Sequence, residues 1–162
     1  MFEIKATDAS LGKAEMYRLL VEQLKGLLEG EHNLIANAAN MSALVYHQVP
    51  DLNWCGFYLF DGTELVLGPF QGKVACVRIA LNRGVCGAAA SSRETQLVKD
   101  VHSFPGHIAC DAASQSEIVV PLVKNGQLIG VWDVDSPILA RFDEEDKVGM
   151  QALCEVFLSS ID

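Results

Sequence analysis

Cys110 sits in a short polar loop that leads into an apolar, strand-like stretch. Residues 104–122 read F-P-G-H-I-A-C-D-A-A-S-Q-S-E-I-V-V-P-L. A cysteine in a segment too polar and too rich in Gly and Pro to be core is a candidate nucleophile, because exposed thiols oxidise. Cys76 and Cys86 precede it, and a second thiol makes a reactive one recyclable through a disulfide. Cys86, in R-G-V-C-G-A-A-A, opens a short helix whose N-terminus would lower a thiol pKa. It reads equally well as a small residue in tight packing. Cys76, in A-C-V-R-I-A, lies between loop and strand and reads equally as a buried strand residue. Cys55, among strand aromatics, and Cys154, on a helical stripe, read as core.

Acids form the second element of this chemistry. Glu117 opens an apolar strand, and Asp133 and Asp135 close another. Positions i and i+2 of a strand share a face, so Asp133 and Asp135 project together, with Val134 turned to the core. The two strands are hairpin partners, which brings Glu117 near the pair. Converging carboxylates in a partly apolar site raise at least one pKa, and an acid kept protonated near neutral pH can donate its proton. The alternative is a solvated strand end. Trp54 and Tyr58, four apart on one strand, share a face and could wall a pocket for a methyl-sulfur group, or be core aromatics. His102 and His107 flank Pro105-Gly106 and read as solvated, though either could act as a base for Cys110.

Composition narrows the field. The 162 residues favour one domain over 1–162, and half of them are hydrophobic, which excludes disorder. A net charge of -9 argues against nucleic acid, whose phosphates need clustered Lys and Arg. The N-terminus lacks a secretory pattern, and no apolar run approaches the roughly 20 residues that span a bilayer, so a soluble cytoplasmic protein is expected. The five cysteines form neither a disulfide framework nor a C-x-x-C metal pair.

The elements that must position these residues follow from periodicity. Apolar stripes predict helices over 13–28 and 32–47. Strands are expected over 53–60, 64–67, 75–80, 96–98, 117–123 and 127–135. Asp61-Gly62 and Asn125-Gly126 mark hairpin turns. A short Gly/Ala-rich helix covers 84–91, and a last helix covers 142–158, with Asp143 as N-cap. Strands joined mostly by hairpins predict a largely antiparallel sheet in an α+β fold, with the N- and C-terminal helices together on one face.

These residues together resemble a GAF domain and, more specifically, the free methionine-(R)-sulfoxide reductase family. The resemblance rests on N-W-C-G-F-Y at 53–58, G-P-F-Q-G-K-V-A-C-V-R-I at 68–79 and R-G-V-C-G at 83–87. It continues in D-V-H-S-F-P-G-H-I-A-C-D-A-A-S at 100–114, S-E-I-V-V-P-L at 116–122 and G-V-W-D-V-D-S at 130–136. It covers nearly the whole chain beyond the first helix. Trp132, where an aliphatic residue is expected, is a mild departure on the core-facing side. The resemblance implies a GAF-like fold with loops and the short helix over a ligand pocket. It implies Cys110 as nucleophile, Cys76 as resolving cysteine and Cys86 as a third cysteine of lesser or alternative recycling role. Glu117, Asp133 and Asp135 would bind substrate, with Glu117 or Asp135 serving the sulfoxide oxygen, and Trp54 would wall the methyl group. It further implies thioredoxin as reductant, a homodimer, and neither metal nor organic cofactor. The rival readings are a non-catalytic small-molecule-binding GAF sensor and a thiol-based redox sensor or peroxidase.

Overall fold

The computed structural model describes residues 2–4, 11–107 and 111–162. Two helices, α1 (Lys13–Leu28) and α2 (Leu34–Gln48), lead into strands β1 (Trp54–Phe60), β2 (Glu64–Gly72) and β3 (Arg78–Ala80). Helix α3 (Gly84–Ser92) and strand β4 (Gln96–Val98) follow, then a single 3-10 turn (Val101–Ser103). The hairpin of β5 (Ser116–Lys124) and β6 (Gln127–Ser136) and the helix α4 (Glu144–Ser160) complete the chain. The strands form one antiparallel six-stranded sheet in the order β3-β2-β1-β6-β5-β4. The expected α+β architecture is the one observed. Among the described residues no helix is long and apolar enough to cross a membrane.

Strand alternation divides the molecule into two layers. Cys55, Phe57, Ile118, Val120, Trp132 and Val134 face α1, α2 and α4 and form the larger core. Trp54, Tyr58, Val119 and Val131 face α3 and form the smaller one. Phe57 centres the larger core, its ring 4.8 Å from both Trp132 and Phe157. Trp132 is fully buried there, and its indole N–H donates to Met150 Sδ at 3.4 Å. The departure noted at this position is therefore accommodated inside the helix-side core.

Local chemistry fixes the ends of these elements. Asn125 and Gly126 both take positive φ, 52° and 76°, as a two-residue hairpin turn demands. Asp143 caps α4 by accepting from the Glu145 and Asp146 amides, while Asp146 accepts from the Asp143 amide, closing a reciprocal capping box. Strand β2 runs five residues beyond the expected Leu67, to Gly72. Strand β3 is shorter than expected: it holds only Arg78–Ala80, so Cys76 lies in the preceding loop rather than on a strand.

Asp146 also joins three parts of the fold. Its buried carboxylate accepts from Tyr17 Oη at 2.7 Å and from Lys13 Nζ at 2.7 Å, both on α1, and pairs with Arg141 at 3.5 Å. Gly149, one turn along α4, leaves room for the Tyr17 ring; a Cβ there would stand 2.1 Å from it. Removing one partner of a buried ionic network strands the others without compensation and costs about 3–5 kcal/mol. Asp146→Ala should therefore lower the urea-derived stability by about 3 kcal/mol. A loss below about 0.5 kcal/mol, the size expected of a neutral surface change, would show that packing alone holds α1 on α4.

Candidate active site

The α3 side of the sheet carries a cavity of ≈ 50 Å³, lined by Trp54, Tyr58, Cys86, His107, Asp111, Ser114, Glu117, Asp133 and Asp135 among others. Register explains the convergence. Trp54 pairs with Asp135 across β1 and β6, and Asp135 pairs with Glu117 across β6 and β5. Asp133, two residues back, falls on the same face. The acids read as candidates thus line one cavity instead of a solvated strand end.

Glu117 is 7 % exposed and Asp133 5 % exposed, deep enough to alter their chemistry. Burial pushes the Glu117 pKa well above the usual carboxylate range, and the neighbouring Asp133 pushes it further. Asp133 is raised first by burial and then by Asp135, and Asp135 first by burial and then by Glu117. Asp133 Oδ1 and Asp135 Oδ1 are buried with no hydrogen-bond partner. A site of this kind holds protons or a cationic ligand, since unpaired buried carboxylates are costly.

Cys86 lies at the first turn of α3, within hydrogen-bonding range of Asp133. The helix N-terminus was expected to lower its pKa. The structure places it instead well above the ordinary thiol value, because burial, Asp133, Glu117 and Asp135 all disfavour the thiolate. Cys86 is a buried free thiol. Cys55 and Cys154 are also free and belong to the core on the opposite face of the sheet, as expected.

Cys76 is half-buried in the 73–77 loop and is disulfide-bonded. Two aromatic side chains hold this loop over the cavity. Trp54 Nε1 donates to the Lys73 carbonyl at 3.1 Å, and Tyr58 Oη donates to the Cys76 carbonyl at 2.9 Å. The Trp54 ring stacks on Tyr58 at 5.8 Å and on Phe70 at 5.1 Å. Trp54 and Tyr58 therefore both wall the pocket and brace its rim. Cys110 lies outside the described residues.

His107 lines the cavity, and burial followed by the charge of His102 lowers its pKa, which favours the neutral ring. His102 is exposed and engages Asp100 at 3.2 Å, away from the cavity lining. Two residues given no role from sequence join the site. Asn53 Nδ2 donates to Asp111 Oδ2 and to Ser114 Oγ, each at 3.0 Å, tying the segment that follows Cys110 to the start of β1. Arg83, exposed beside the α3 N-terminus, supplies positive charge at the cavity lining. Both stand inside motifs already singled out, N-W-C-G-F-Y and R-G-V-C-G, but nothing local names their partners.

The raised acid pKa values carry a stability consequence with a definite sign. An acid whose pKa is raised by folding favours the native state when protonated; this contribution is complete below its unfolded value near 4 and is lost as pH rises through the folded value. The depressed Asp61, Asp100, Asp111 and Asp143 titrate below the ordinary aspartate value and leave the neutral window to the cluster. Glu117→Gln should therefore raise the melting temperature of the ligand-free protein more at about pH 8 than at about pH 5. Equal shifts at the two pH values would mean that the cluster titrates as ordinary acids.

Known proteins share this fold. Residues 33–160 match the GAF domain family. The free methionine-R-sulfoxide reductase of Escherichia coli (strain K12) is 52 % identical over 143 residues, covering 88 % of this chain and 87 % of that protein. The yeast Saccharomyces cerevisiae (strain ATCC 204508 / S288c) enzyme of the same name is 44 % identical over 161 residues, covering 94 % and 89 %. The X-ray structure of free methionine-R-sulfoxide reductase from Neisseria meningitidis in complex with its substrate superposes with a TM-score of 0.93 at 41 % identity, covering 99 % of this chain and 95 % of that one. The motif resemblance is thus borne out over the whole fold, and the chain is a GAF-domain protein of the free methionine-R-sulfoxide reductase family.

Proposed function

We propose that this protein reduces free L-methionine-(R)-sulfoxide to L-methionine as a single catalytic domain. The observation that carries this reading is the acid trio of Glu117, Asp133 and Asp135, the first two buried and the third with its Oδ1 buried, in a cavity walled by Trp54 and Tyr58 and roofed by the loop that bears Cys76. The activity named for its Escherichia coli and yeast relatives, and the substrate bound by the Neisseria relative, support it.

In this mechanism the Cys110 thiolate attacks the sulfoxide sulfur. Negative charge builds on the sulfoxide oxygen, and Glu117 or Asp135, kept protonated by burial, delivers a proton there. Oxygen passes to Cys110 as a sulfenic acid while the substrate sulfur gains two electrons and leaves as methionine. The Cys76 thiol then displaces that oxygen as water and forms the disulfide. A thioredoxin dithiol reduces it, becoming a disulfide itself. The bonded state of Cys76 is in keeping with an oxidised resting form. Cys86, buried and held as a thiol, suits a secondary role better than nucleophilic attack. No metal or organic cofactor enters any step. A homodimer is the assembly the family resemblance favours.

Charge explains a preference for the free amino acid. An ammonium group neutralises the carboxylates at the cavity floor, and a peptide-bound residue has none to offer. Asp133, with its unpartnered oxygen, is suited to that contact. Arg83 and the backbone amides of 111–116 suit the substrate carboxylate. Trp54 and Tyr58 offer the apolar wall for the methyl-sulfur group.

Substitution separates the steps. Cys110→Ser should abolish methionine release, whereas Cys76→Ser should release about one methionine per chain and then stop in a thioredoxin-coupled assay. Wild-type turnover by Cys110→Ser would end this assignment. Asn53 is a positioning residue in the same scheme. Asn53→Ala removes two hydrogen bonds worth about 0.5–1.5 kcal/mol each, which corresponds to roughly tenfold in kcat/KM if they hold the Cys110 segment in place. The expected signature is a slowed methionine burst with an unchanged rate of disulfide reduction by thioredoxin. An intact burst would leave Asn53 a stability role only.

A further inference from the structure

Cys86 Sγ, a carboxylate oxygen of Glu117 and one of Asp133 lie within 4.8 Å of one another, and all three residues are buried. The site has a second, independent mark. Asp133, 5 % exposed and lining the cavity, presents Oδ1 with no hydrogen-bond partner, and Asp135 Oδ1 beside it is likewise buried and unpartnered. Native structures seldom leave such oxygens without a donor or a cation.

We propose that Cys86, Glu117 and Asp133 form a binding site for a thiophilic divalent cation of the Zn²⁺ class, with Asp135 or a water as fourth donor. The donor set selects the metal. One sulfur with carboxylate oxygens suits a borderline-soft ion. Ca²⁺ takes six to eight oxygens and Mg²⁺ an octahedron of them, and neither accepts a thiolate readily. Zn²⁺ is held by four donors at about 2.0–2.3 Å, so donors lying within 4.8 Å of one another would draw inward around it. The cavity of ≈ 50 Å³ is the size of a few water-sized spheres of about 10–15 Å³, which suits one ion and its water. Binding is a ligand exchange: the aqua ion sheds waters as the Cys86 and Glu117 protons leave to solvent, and no atom changes oxidation state. Occupancy would engage the same carboxylates that a cationic group of an organic ligand needs, so the ion and such a ligand exclude each other. The site shares its acids with the reductase reading, yet its test requires neither Cys110 nor turnover.

Co²⁺ tests it, because thiolate ligation gives a near-ultraviolet charge-transfer band. The experiment uses the full chain carrying Cys76→Ser and Cys110→Ser; Cys86 lines the cavity, and Cys55 and Cys154 lie in the opposite core. Titration should saturate at one Co²⁺ per chain with the band present; Zn²⁺ should displace it and Mg²⁺ should not. Adding Cys86→Ser should remove the band. Adding Glu117→Gln, in a chain shown folded by circular dichroism, should weaken Co²⁺ binding by roughly tenfold or more. Absence of the band, its survival in Cys86→Ser, or an affinity unmoved by Glu117→Gln would overturn the proposal.

Discussion

Three carboxyl groups buried together on one face of a sheet are the constraint around which this molecule is arranged. Glu117, Asp133 and Asp135 each lose hydration, and each raises the pKa of a neighbour. A fold gains nothing from this grouping by itself, so its cost must be met by the rest of the structure. The opposite face of the same strands meets it. Trp132, Val134 and Ile118 alternate with the acids and, with Phe57 of β1, are sealed under three helices. The strands that carry the acids, β5 and β6, and their neighbour β1 are the inner part of the sheet, and the acids cannot drift apart without opening that core.

The same constraint separates the roles of the cysteines. A thiol beside buried carboxylates is held protonated, and this is the position of Cys86. A thiol meant to react must stand away from that negative potential or gain compensation for it. Cys76 stands instead on the loop at the cavity rim, half-exposed and disulfide-bonded.

Much of this was legible in the chain because period-2 alternation is strict. Asp133 and Asp135 had to share a face, and Asn125-Gly126 had to bring Glu117 beside them; register then placed Glu117 opposite Asp135. The cap at Asp143 was legible for the same local reason. The pKa of Cys86 was not. The helix-terminus argument was sound for α3 alone, but the dominant charges come from β5 and β6, some 30–50 residues away in sequence. Asn53 was missed likewise, since its partners Asp111 and Ser114 lie 58 and 61 residues downstream. Strand β3 was overestimated because Ala75, Val77 and Ile79 fit a strand pattern. Val74 and Val77, at 88 % and 61 % exposed, show that the loop departs from the sheet in spite of its composition.

What draws that loop aside is the polar tip of each aromatic wall. Trp54 and Tyr58 turn their rings to the cavity and their donors to the carbonyls of Lys73 and Cys76. Each side chain thus supplies apolar surface to the pocket and a hydrogen bond to its lid, which a phenylalanine could not do. Asn53, immediately before Trp54, performs the matching task for the segment on the other side of the cavity. Asn53, just before β1, and Trp54 and Tyr58 on it therefore govern both loops of the rim. The strand they occupy is paired with β2 on one side and β6 on the other, so the rim inherits its rigidity from the centre of the sheet. The acids set the electrostatic character of the site, and β1 sets its shape.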